Sequence, residues 1–480
     1  MSNSIPRLFS LAKQYRKFGT IIISGGSHVD ALPREALNSG VDIVVHGEGE
    51  ETIKELMDVL VLNGKVKLNK KKLLKIKGIS FKDKNKYIFT GRRNPIKNLD
   101  EYMDPDLTLI KYLKKRWSAI PINKGRGCNW NCEFCVVNKQ YGGYKSCSIS
   151  KVMKQIIKYS DLGYKTFFFT DDNFCQNVSE TIELCKNIGE YKRRFGKRIN
   201  LMVQVRSEIA ENDDLVNVMK FAGVKTLAIG FESPINEELN AMKKGVTVEK
   251  LMERSKKLSK HFYLHGMFIF GYPTFKDSIY RCSLSLKQRA KEYRRFFKKA
   301  KIDTIQVLNA VPLPGSLLRY KLDEERRIFP KEMIGWDKYD GLFLCYDPTP
   351  EGLDPYELQE IPKLLMKKQY LGNFFNRTLN YGNWISWVSN TVGFPIKFFI
   401  FYVKGFFRNY LEKKREMNFI DSKKKNIFHE SLGNAWSDIS RSYRNLIIRT
   451  YAGNIVRRWI KEYKNMDYSF KLNKIFKKTT

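Results

Sequence analysis

The sequence predicts an α/β protein built mainly around a partial (βα)6 barrel of the TIM type. Three observations support this fold. Six apolar, strand-like runs occur between about residues 118 and 312, helical stretches of roughly 10–15 residues separate them, and polar residues follow the runs directly. Parallel units of this kind place functional residues at the carboxyl ends of the strands. Six strands are too few for a closed eight-stranded barrel, so we expect an open one.

The candidate strands and helices alternate along the chain. The first barrel strand is expected at residues 119–123, and the other five are rich in β-branched and aromatic residues. These five are Lys165–Thr170, Ile199–Val205, Lys225–Phe231, Phe262–Phe270 and Ile302–Val311. The helices between them have apolar residues three and four positions apart. They are Ile149–Asp161, Ser179–Phe195, Asp213–Phe221, Thr247–Lys260 and Asp277–Lys299.

Four segments are expected in the chain. Residues 1–75 form a small, partial Rossmann-like α/β unit, in which strands near Ile21 and Val41 lead into glycine-rich turns. Residues 76–117 form a linker, and residues 118–330 form the barrel. Residues 331–480 form a mainly helical extension, because the alternation of strands and helices ends near residue 350.

The chain is strongly basic, with 87 Lys and Arg against 50 Asp and Glu and a formal net charge of +37. The last 120 residues have 24 Lys and Arg against 7 Asp and Glu, a net charge of +17 that is mixed with aromatic residues. A hydrophobic content of 42% excludes a wholly disordered chain. The first residues lack the apolar core of a secretory signal, so we expect a cytoplasmic protein.

Three cysteines lie within one eight-residue window, namely Cys128, Cys132 and Cys135, in a loop that follows the first barrel strand. Three thiolates can bind three irons of a [4Fe–4S] cluster and leave the fourth iron without a protein ligand. An open coordination position is typical of a catalytic metal centre. The alternative is a zinc knuckle with a distant fourth ligand, or three unrelated buried thiols. Zinc sites usually pair two short hairpins of ligands, and no second Cys or His pair lies nearby.

This motif, with Phe134 directly before the last cysteine, resembles that of the radical S-adenosylmethionine (radical SAM) superfamily. The resemblance covers about residues 118–315. It implies that the open iron binds the amino and carboxylate groups of S-adenosylmethionine. One electron then cleaves its C–S bond to give a 5′-deoxyadenosyl radical, which abstracts hydrogen from an unactivated position. A reductant protein such as a flavodoxin or a ferredoxin is implied as the partner.

Polar residues at two strand ends resemble the positions at which this family grips S-adenosylmethionine. Asp171, Asp172 and Asn173 follow the second strand, and the resemblance implies that this segment receives the methionine amino group. The same residues are ordinary helix N-caps. Gln204 and Arg206 end the third strand. The Arg could pair with the methionine carboxylate, or it could form a surface salt bridge.

Glu232 ends the fourth strand within a Gly-Phe-Glu-Ser segment that resembles the family's Gly-x-Glu-Ser strand end. A carboxylate at the end of a buried apolar strand needs a polar partner, for which the ribose hydroxyls or a neighbouring Arg are candidates. Gly266–Pro273 resembles the fifth strand and its turn, and Val311–Ser316 resembles the loop that closes the barrel mouth. Ordinary turn chemistry is the alternative for both loops.

Gly25 and Gly26, with the acidic turn Gly47–Glu50, resemble the second half of the cobalamin-binding domain that is joined to many radical SAM enzymes. The resemblance spans about residues 18–60. The acidic turn is also suited to capping the helix that follows it. The family's lower axial His lies in an Asp-x-His-x-x-Gly loop in the first half of that domain, and nothing before Ile21 matches this loop. We therefore expect a truncated domain, with cobalamin absent or base-off rather than fully occupying the unit.

The basic, aromatic extension has three interpretations. Its uncharged run Thr378–Ile396 contains Asn, Gly and Pro, so a membrane-spanning helix is not expected. A helical appendage packed against the barrel ranks first. Peripheral contact with an anionic membrane surface ranks second, and nucleic acid ranks third.

The sequence as a whole predicts a radical SAM enzyme for C–H functionalisation, by methylation, rearrangement or a related reaction. The expected substrate is a small or lipid-like molecule. The alternative is a non-catalytic zinc- or RNA-binding protein that uses the cysteines structurally and the extension for binding. A methylthiolation role on tRNA is disfavoured, because that family holds a further cluster with three amino-terminal cysteines and none precedes Cys128.

Overall fold

The computed structural model describes residues 2–62, 65–66, 68–110, 119–380 and residue 403. The chain divides into two compact units, Met1–Met366 and Lys367–Thr480. The first unit contains a sheet of four strands followed by a sheet of six strands. All neighbouring strands of the second sheet are parallel. The predicted α/β fold with an open (βα)6 barrel is therefore confirmed.

The smaller sheet precedes the barrel in the chain. Across this sheet the strands follow the order β1 (Ile23–Gly25), β2 (Ile43–Val45), β5 (Ile79–Asp83) and β6 (Lys86–Phe89), while β3 (Val61–Leu62) and β4 (Lys65–Val66) form a separate hairpin. The first two strands are parallel and the other pairings are antiparallel. The accompanying helices are α1 (Ile5–Arg16), α2 (Ser27–Ala31), α3 (Pro33–Asn38), α4 (Glu50–Leu60) and α5 (Lys70–Leu73).

The β5–β6 hairpin lies within residues 76–117, which the sequence analysis assigned to a linker. This assignment is corrected, because β5 pairs with β2 and completes the first sheet. Ile79 and Phe81 are buried in its core beside Ile43 and Leu56. The exposed charged residues Asp83 and Lys86, where the two strands meet, made this segment look like a linker in the sequence. The connecting segment thus begins only after β6.

The barrel sheet carries its strands in the order β14–β13–β12–β11–β10–β7. Their bounds are β7 (Ile120–Ile122), β10 (Thr166–Phe169), β11 (Asn200–Val205), β12 (Val224–Glu232), β13 (Tyr263–Phe270) and β14 (Thr304–Asn309). Along β11 and β13, buried side chains alternate with half-buried ones. This period of two is expected for strands with one face under helices and the other lining a barrel.

The barrel helices begin at polar caps. They are α7 (Ile149–Asp161), α8 (Val178–Phe195), α9 (Asp213–Ala222), α11 (Val248–Leu258) and α12 (Leu286–Lys299), with the short helices α6 (Val137–Tyr141) and α10 (Asn236–Ala241) between them. Ser148 accepts the Lys151 amide, as a cap should. The sequence predicted that α12 begins at residue 277. In the structure, a capping box between Ser285 and Gln288 makes Ser285 the N-cap, eight residues after Asp277.

The segment after the barrel begins with α13 (Leu317–Glu324) and ends, within the described residues, with α14 (Pro355–Asn380). The uncharged run Thr378–Ile396 and the basic stretches that follow it lie almost wholly outside the described residues. Among the helices that the structure describes, none is long and apolar enough to cross a membrane.

Candidate active site

The three cysteines lie in a loop, here called the Cys loop (residues 123–135), that leaves β7 at its carboxyl end. The loop opens with the strand β8 (Gly125–Arg126), which pairs with β9 (Lys145–Ser146). Gly127 has a φ of +85°, and a Cβ on it would lie 2.0 Å from the Gly143 oxygen. Glycine at 127 is therefore required by the close approach of the hairpin strands and not by the cysteines themselves.

Three side chains after β10 hydrogen bond to the Cys loop. Asp171 Oδ2 accepts the Lys124 amide at 3.1 Å, and Asp172 Oδ2 accepts the Gly127 amide at 3.1 Å. Gln176 Oε1 accepts the Asn129 amide at 3.3 Å and lies 3.4 Å from the Cys128 sulfur. Asp171 and Asp172, which the sequence singled out, thus fix the backbone at Lys124 and Gly127, while Gln176, which it did not single out, binds the Asn129 amide.

A buried lysine supports the same junction. Lys124 is 2% exposed, and its Nζ donates to the Phe174 carbonyl at 2.9 Å and to Thr181 Oγ1 at 2.8 Å. Burial lowers the pKa of Lys124, and the nearby Asp171 opposes this effect. Burial raises the pKa of Asp171 to about 7, although backbone amides of the Cys loop favour its charged form.

Arg206 holds the Cys loop from the end of β11. Its guanidinium lies 3.7 Å from the centroid of the Trp130 ring. It donates to both oxygens of Glu208, at 2.9 and 3.3 Å, and to the Lys244 carbonyl at 2.8 Å. Such a stacked and paired guanidinium is a packing element. The neighbouring Gln204 donates to the Asp172 carbonyl at 3.2 Å.

Glu232, at the end of β12, has Lys244 as its partner. The two side chains are nearly buried, and Lys244 Nζ lies 3.0 Å from Glu232 Oε1. Glu232 has a φ of +63°, a strained value for a residue with a Cβ. From the sequence, the ribose hydroxyls or a neighbouring Arg are the expected partners of Glu232, and the Lys244 pairing was not predicted.

The Glu133 carboxylate, within the motif itself, is buried and joins the Cys loop to two further elements. Its Oε1 lies 2.7 Å from Lys321 Nζ, on α13, and 3.3 Å from Lys243 Nζ. Its amide donates to the Met242 carbonyl, and its carbonyl accepts the Leu318 amide. The Cys loop is thus held by four sets of contacts, from β10, β11, the segment after α10, and α13.

The acidic turn of the first sheet also contacts this loop. Glu48 lies 2.6 Å from Lys145 and 3.3 Å from Arg126, and Glu50 also pairs with Arg126. The turn was predicted to belong to a cobalamin-like unit or to cap a helix. It begins α4, and it also neutralises the two cations of the β8–β9 hairpin.

The glycine pair and the two histidines of the first unit have different surroundings. Gly25 and Gly26 are exposed, and an added Cβ on Gly26 would meet nothing within 4 Å. His28 is buried, with Nδ1 3.0 Å from Ser2 Oγ. His46 is buried, and its two nitrogens lie 2.6 Å from Asp30 and 2.7 Å from Ser80. Both histidines are therefore engaged in structural contacts.

Several buried polar atoms near the ends of the barrel strands have no partner among the described residues: Asp171 Oδ1, Asn173 Oδ1, Tyr272 OH and Asn309 Oδ1. They follow or end three different strands, β10, β13 and β14. Buried polar atoms are nearly always hydrogen bonded, so such a group is suited to receiving a polar ligand. Tyr272 and Asn309 were not singled out from the sequence, because Tyr-Pro and Asn-Ala are ordinary strand endings.

The three thiols differ in burial but interact with one another. Cys132 is buried, and Cys128 and Cys135 are half-buried. Burial raises the pKa of the Cys135 thiol to about 11, and the charges of the other two cysteines contribute. The Val137 amide donates to the Cys135 sulfur at 3.5 Å, as amides around iron-bound sulfur do. Within the described residues, no group of three or more His, Cys, Asp or Glu side chains, the three cysteines included, is arranged so that it could hold a metal ion.

Fold and site together define an enzyme with an open parallel barrel and a three-cysteine loop at the barrel mouth. Residues 122–280 match the model of the Radical SAM superfamily. These residues therefore form a Radical SAM domain, and the enzymes of this superfamily use a [4Fe–4S] cluster and S-adenosylmethionine. None of the comparisons supports a non-catalytic zinc- or RNA-binding protein.

The relatives include methyltransferases and a cyclase. An uncharacterized methyltransferase of Pyrococcus horikoshii is 29% identical over 72% of this chain and 71% of its own length. The anaerobic magnesium-protoporphyrin IX monomethyl ester cyclase of Cereibacter sphaeroides is 24% identical over 52% of this chain, and the match covers only 41% of the cyclase. Among solved structures, the chain resembles the radical S-adenosylmethionine methyltransferase TsrM of Kitasatospora setae, whose structure contains cobalamin and a [4Fe–4S] cluster. The two structures superpose with a TM-score of 0.58 at 13% sequence identity, over 76% of this chain and 75% of the TsrM chain. At this level of identity the likeness to TsrM shows a shared fold.

Proposed function

We propose that this radical SAM enzyme functionalises a C–H bond, by methylation in the first instance, of a small and largely apolar substrate. The observation that carries the proposal is the Cys loop at the carboxyl edge of the barrel, braced by side chains from β10 and β11. The methyltransferase names of the relatives support methylation over rearrangement.

Cys128, Cys132 and Cys135 are the proposed iron ligands, and the Val137 amide would stabilise the charge on the Cys135 sulfur. When bound, the cluster supplies the one-electron reduction that splits S-adenosylmethionine into methionine and a 5′-deoxyadenosyl radical. The raised pKa values of Cys128 and Cys135 mean that cluster binding must release their protons.

The proposed S-adenosylmethionine contacts divide into two groups. Asn173 and Asp171 keep a buried, unpartnered oxygen, so they are the proposed acceptors for the methionine amino group. Asp172, Gln204, Arg206 and Glu232 have partners within the protein, so their proposed role is to position the Cys loop and the strand ends.

The test is an anaerobic reconstitution with iron and sulfide, followed by reduction and addition of S-adenosylmethionine. We expect 5′-deoxyadenosine, and we expect its loss together with the cluster absorbance in Cys132→Ala. Cys185→Ala is the matched control, because Cys185 is fully buried in α8 and lies outside the motif. A colourless protein loaded with zinc, or full cleavage in Cys132→Ala, would contradict the proposal.

Cobalamin is tested in the same sample by its visible spectrum. Gly26 leaves open space at the end of β1. His28 and His46 are buried, with hydrogen bonds at His28 Nδ1 and at both ring nitrogens of His46. We therefore expect either no binding or a spectrum without a histidine lower ligand. A spectrum of cobalamin with a histidine lower ligand that is lost in His28→Ala or His46→Ala would contradict this expectation.

Two partner assignments are also proposals. The electron is expected from a reductant protein such as a flavodoxin or a ferredoxin. A peripheral contact of the basic extension with a membrane surface stays a prediction, since the residues that would form it lie outside the described part of the chain.

A further inference from the structure

A groove of about 560 Å³ lies beside the Cys loop, and it is here called the basic groove. Its walls come from the end of the first sheet, from the segment after β6, and from α6 with the residue that follows it. Its charged residues are Lys77, Arg92, Arg93, Lys97, Lys139, Glu48 and Glu51. Five cations thus face two carboxylates.

The carboxylates of the groove are already engaged. Glu48 pairs with Lys145 and Arg126, and Glu51 accepts the Tyr102 hydroxyl at 2.8 Å. Burial and this hydrogen bond raise the pKa of Tyr102 to about 12.

The cations are only partly neutralised. Arg92 lies 3.1 Å from Asp30, and Arg93 lies 2.8 Å from Glu55. The other three, Lys77, Lys97 and Lys139, are exposed, and no carboxylate of the described residues forms an ion pair with them. The groove therefore presents three unpaired positive charges to the solvent.

The basic groove adjoins the iron-binding loop along the chain. Helix α6 begins at Val137, whose amide donates to the Cys135 sulfur, and Lys139 lies on this helix. Lys139 is the third residue of this helix and follows Cys135 by four positions in the chain. Lys139 Nζ also donates to the Gly315 carbonyl at 3.3 Å, in the loop after β14.

We propose that the basic groove is the docking face for an acidic electron-donor protein, an inference that rests on the proposed function. Unpaired surface charge accelerates the association of oppositely charged proteins, and redox partners typically form small, transient interfaces. In the step served by this face, the reduced donor loses one electron and the oxidised cluster gains it. No bond is formed or broken and no proton is required.

A small anion is the competing occupant of such a cleft. Sites for small anions are built from buried or convergent donors, whereas the three unpaired ammonium groups here lie on exposed side chains. This exposure favours a protein surface, which can meet several separated charges at once.

The test is the rate of cluster reduction by a reduced flavodoxin of low isoelectric point, measured by stopped-flow absorbance at low ionic strength. In the triple variant Lys77→Glu/Lys97→Glu/Lys139→Glu, cluster reduction by flavodoxin should be at least about tenfold slower than in the wild type. The salt dependence of this rate should reverse or vanish. The double variant Lys77→Glu/Lys97→Glu leaves α6 unchanged. Its cluster should be reduced by flavodoxin at a rate between those of the wild type and the triple variant.

The matched control reverses three exposed lysines on the outside of the barrel, on α8, α9 and α12: Lys186→Glu/Lys220→Glu/Lys291→Glu. It has the same net charge as the triple variant and should keep at least half of the wild-type rate. With an uncharged photoreductant, all variants should reduce the cluster and form 5′-deoxyadenosine as the wild type does.

Three results would overturn the docking face. The first is an unchanged rate of cluster reduction by flavodoxin in the triple variant, and the second is an equal loss of that rate in the control variant. The third is thermal stabilisation of the wild type, but not of the triple variant, by pyrophosphate that leaves the rate of reduction by flavodoxin unchanged. The last result would identify a small-anion site. Failure of the proposed function is distinct, because the wild type would then form no 5′-deoxyadenosine with the photoreductant either.

Discussion

The Asp172 carboxylate accepts the amide of Gly127, the residue directly before Cys128, at 3.1 Å. Asp171, one position earlier, accepts the Lys124 amide at the start of the same loop. Two consecutive residues at the end of β10 therefore fix the backbone that leads into the first cysteine. Gly127 has a positive φ, and glycine adopts positive and negative φ values about equally readily. The bond from its amide to Asp172 therefore also restricts the backbone conformation at Gly127.

Removing the Asp172 acceptor should weaken the Cys loop. Asp172→Ala leaves the Gly127 amide without its partner, and an unsatisfied amide costs about 1–3 kcal/mol when water cannot replace the lost bond. We expect a lower iron content after reconstitution, measured by iron analysis and cluster absorbance. Asp172→Asn keeps an acceptor oxygen and should retain most of the iron. Equal iron in the Ala variant and the wild type would refute this role.

Arg206 and Trp130 should behave as a coupled pair. Their stacking at 3.7 Å predicts that Arg206→Gln and Trp130→Leu each lower cluster retention, with a double-mutant coupling of about 0.5–2 kcal/mol in unfolding experiments. A direct role of Arg206 at the methionine carboxylate predicts a different pattern. In that case Arg206→Gln would weaken S-adenosylmethionine binding, measured by calorimetry, while Trp130→Leu would leave it unchanged.

The Glu232–Lys244 pair should be sensitive to the loss of one partner. Glu232→Gln leaves the buried Lys244 ammonium without a counter-charge, and breaking such a pair typically costs about 3–5 kcal/mol. Urea unfolding measures this loss. The double variant Glu232→Gln/Lys244→Met removes both charges and should recover much of the stability. If the double variant is no more stable than the single one, the pair does not explain the effect.

Asp171 should make the stability of the metal-free protein dependent on pH. Its pKa is about 7 in the folded protein and near 3.8 in the unfolded chain, so the folded state holds a proton that the unfolded state releases between these values. Stability should therefore fall as the pH rises from about 4 to about 7, and then level off. The ionisable groups that interact with Asp171 are Lys124, Tyr144, Cys147 and Cys175.

The check is thermal unfolding of wild type and Asp171→Asn from pH 5 to pH 8. The difference between the two should change across this range, because Asn cannot titrate. Parallel curves would show that the Asp171 carboxyl is ionised throughout.

The order of strands and helices in the barrel could be predicted because each element repeats one local pattern. Helix α7 has the predicted bounds Ile149–Asp161, and the Ser148 side chain caps it. Helix α12 was predicted too long, since residues 277–285 carry apolar and basic side chains at helical spacing. Only the capping box at Ser285 shows where the helix begins.

The partners of the site residues could not be predicted in the same way, because they depend on contacts between distant positions. Arg206 lies at the end of a strand as expected, but the Trp130 ring beside it belongs to the Cys loop, which follows a different strand. Lys244 is separated from Glu232 by the helix α10, and nothing in the local sequence marks it as buried. The signal that could have indicated Glu133 is its position between two cysteines of the motif, where a carboxylate needs cationic neighbours.

The pairing of Glu48 and Glu50 with Arg126 has a practical consequence for dividing the chain. A barrel produced without its first 90 residues would expose Arg126 and Lys145 beside the Cys loop and leave them with no acidic neighbours from the first sheet. Two added positive charges near an iron–sulfur centre favour its reduced form. The first sheet therefore contributes to the electrostatic potential at the proposed cluster, and this contribution does not depend on a cofactor bound to the sheet.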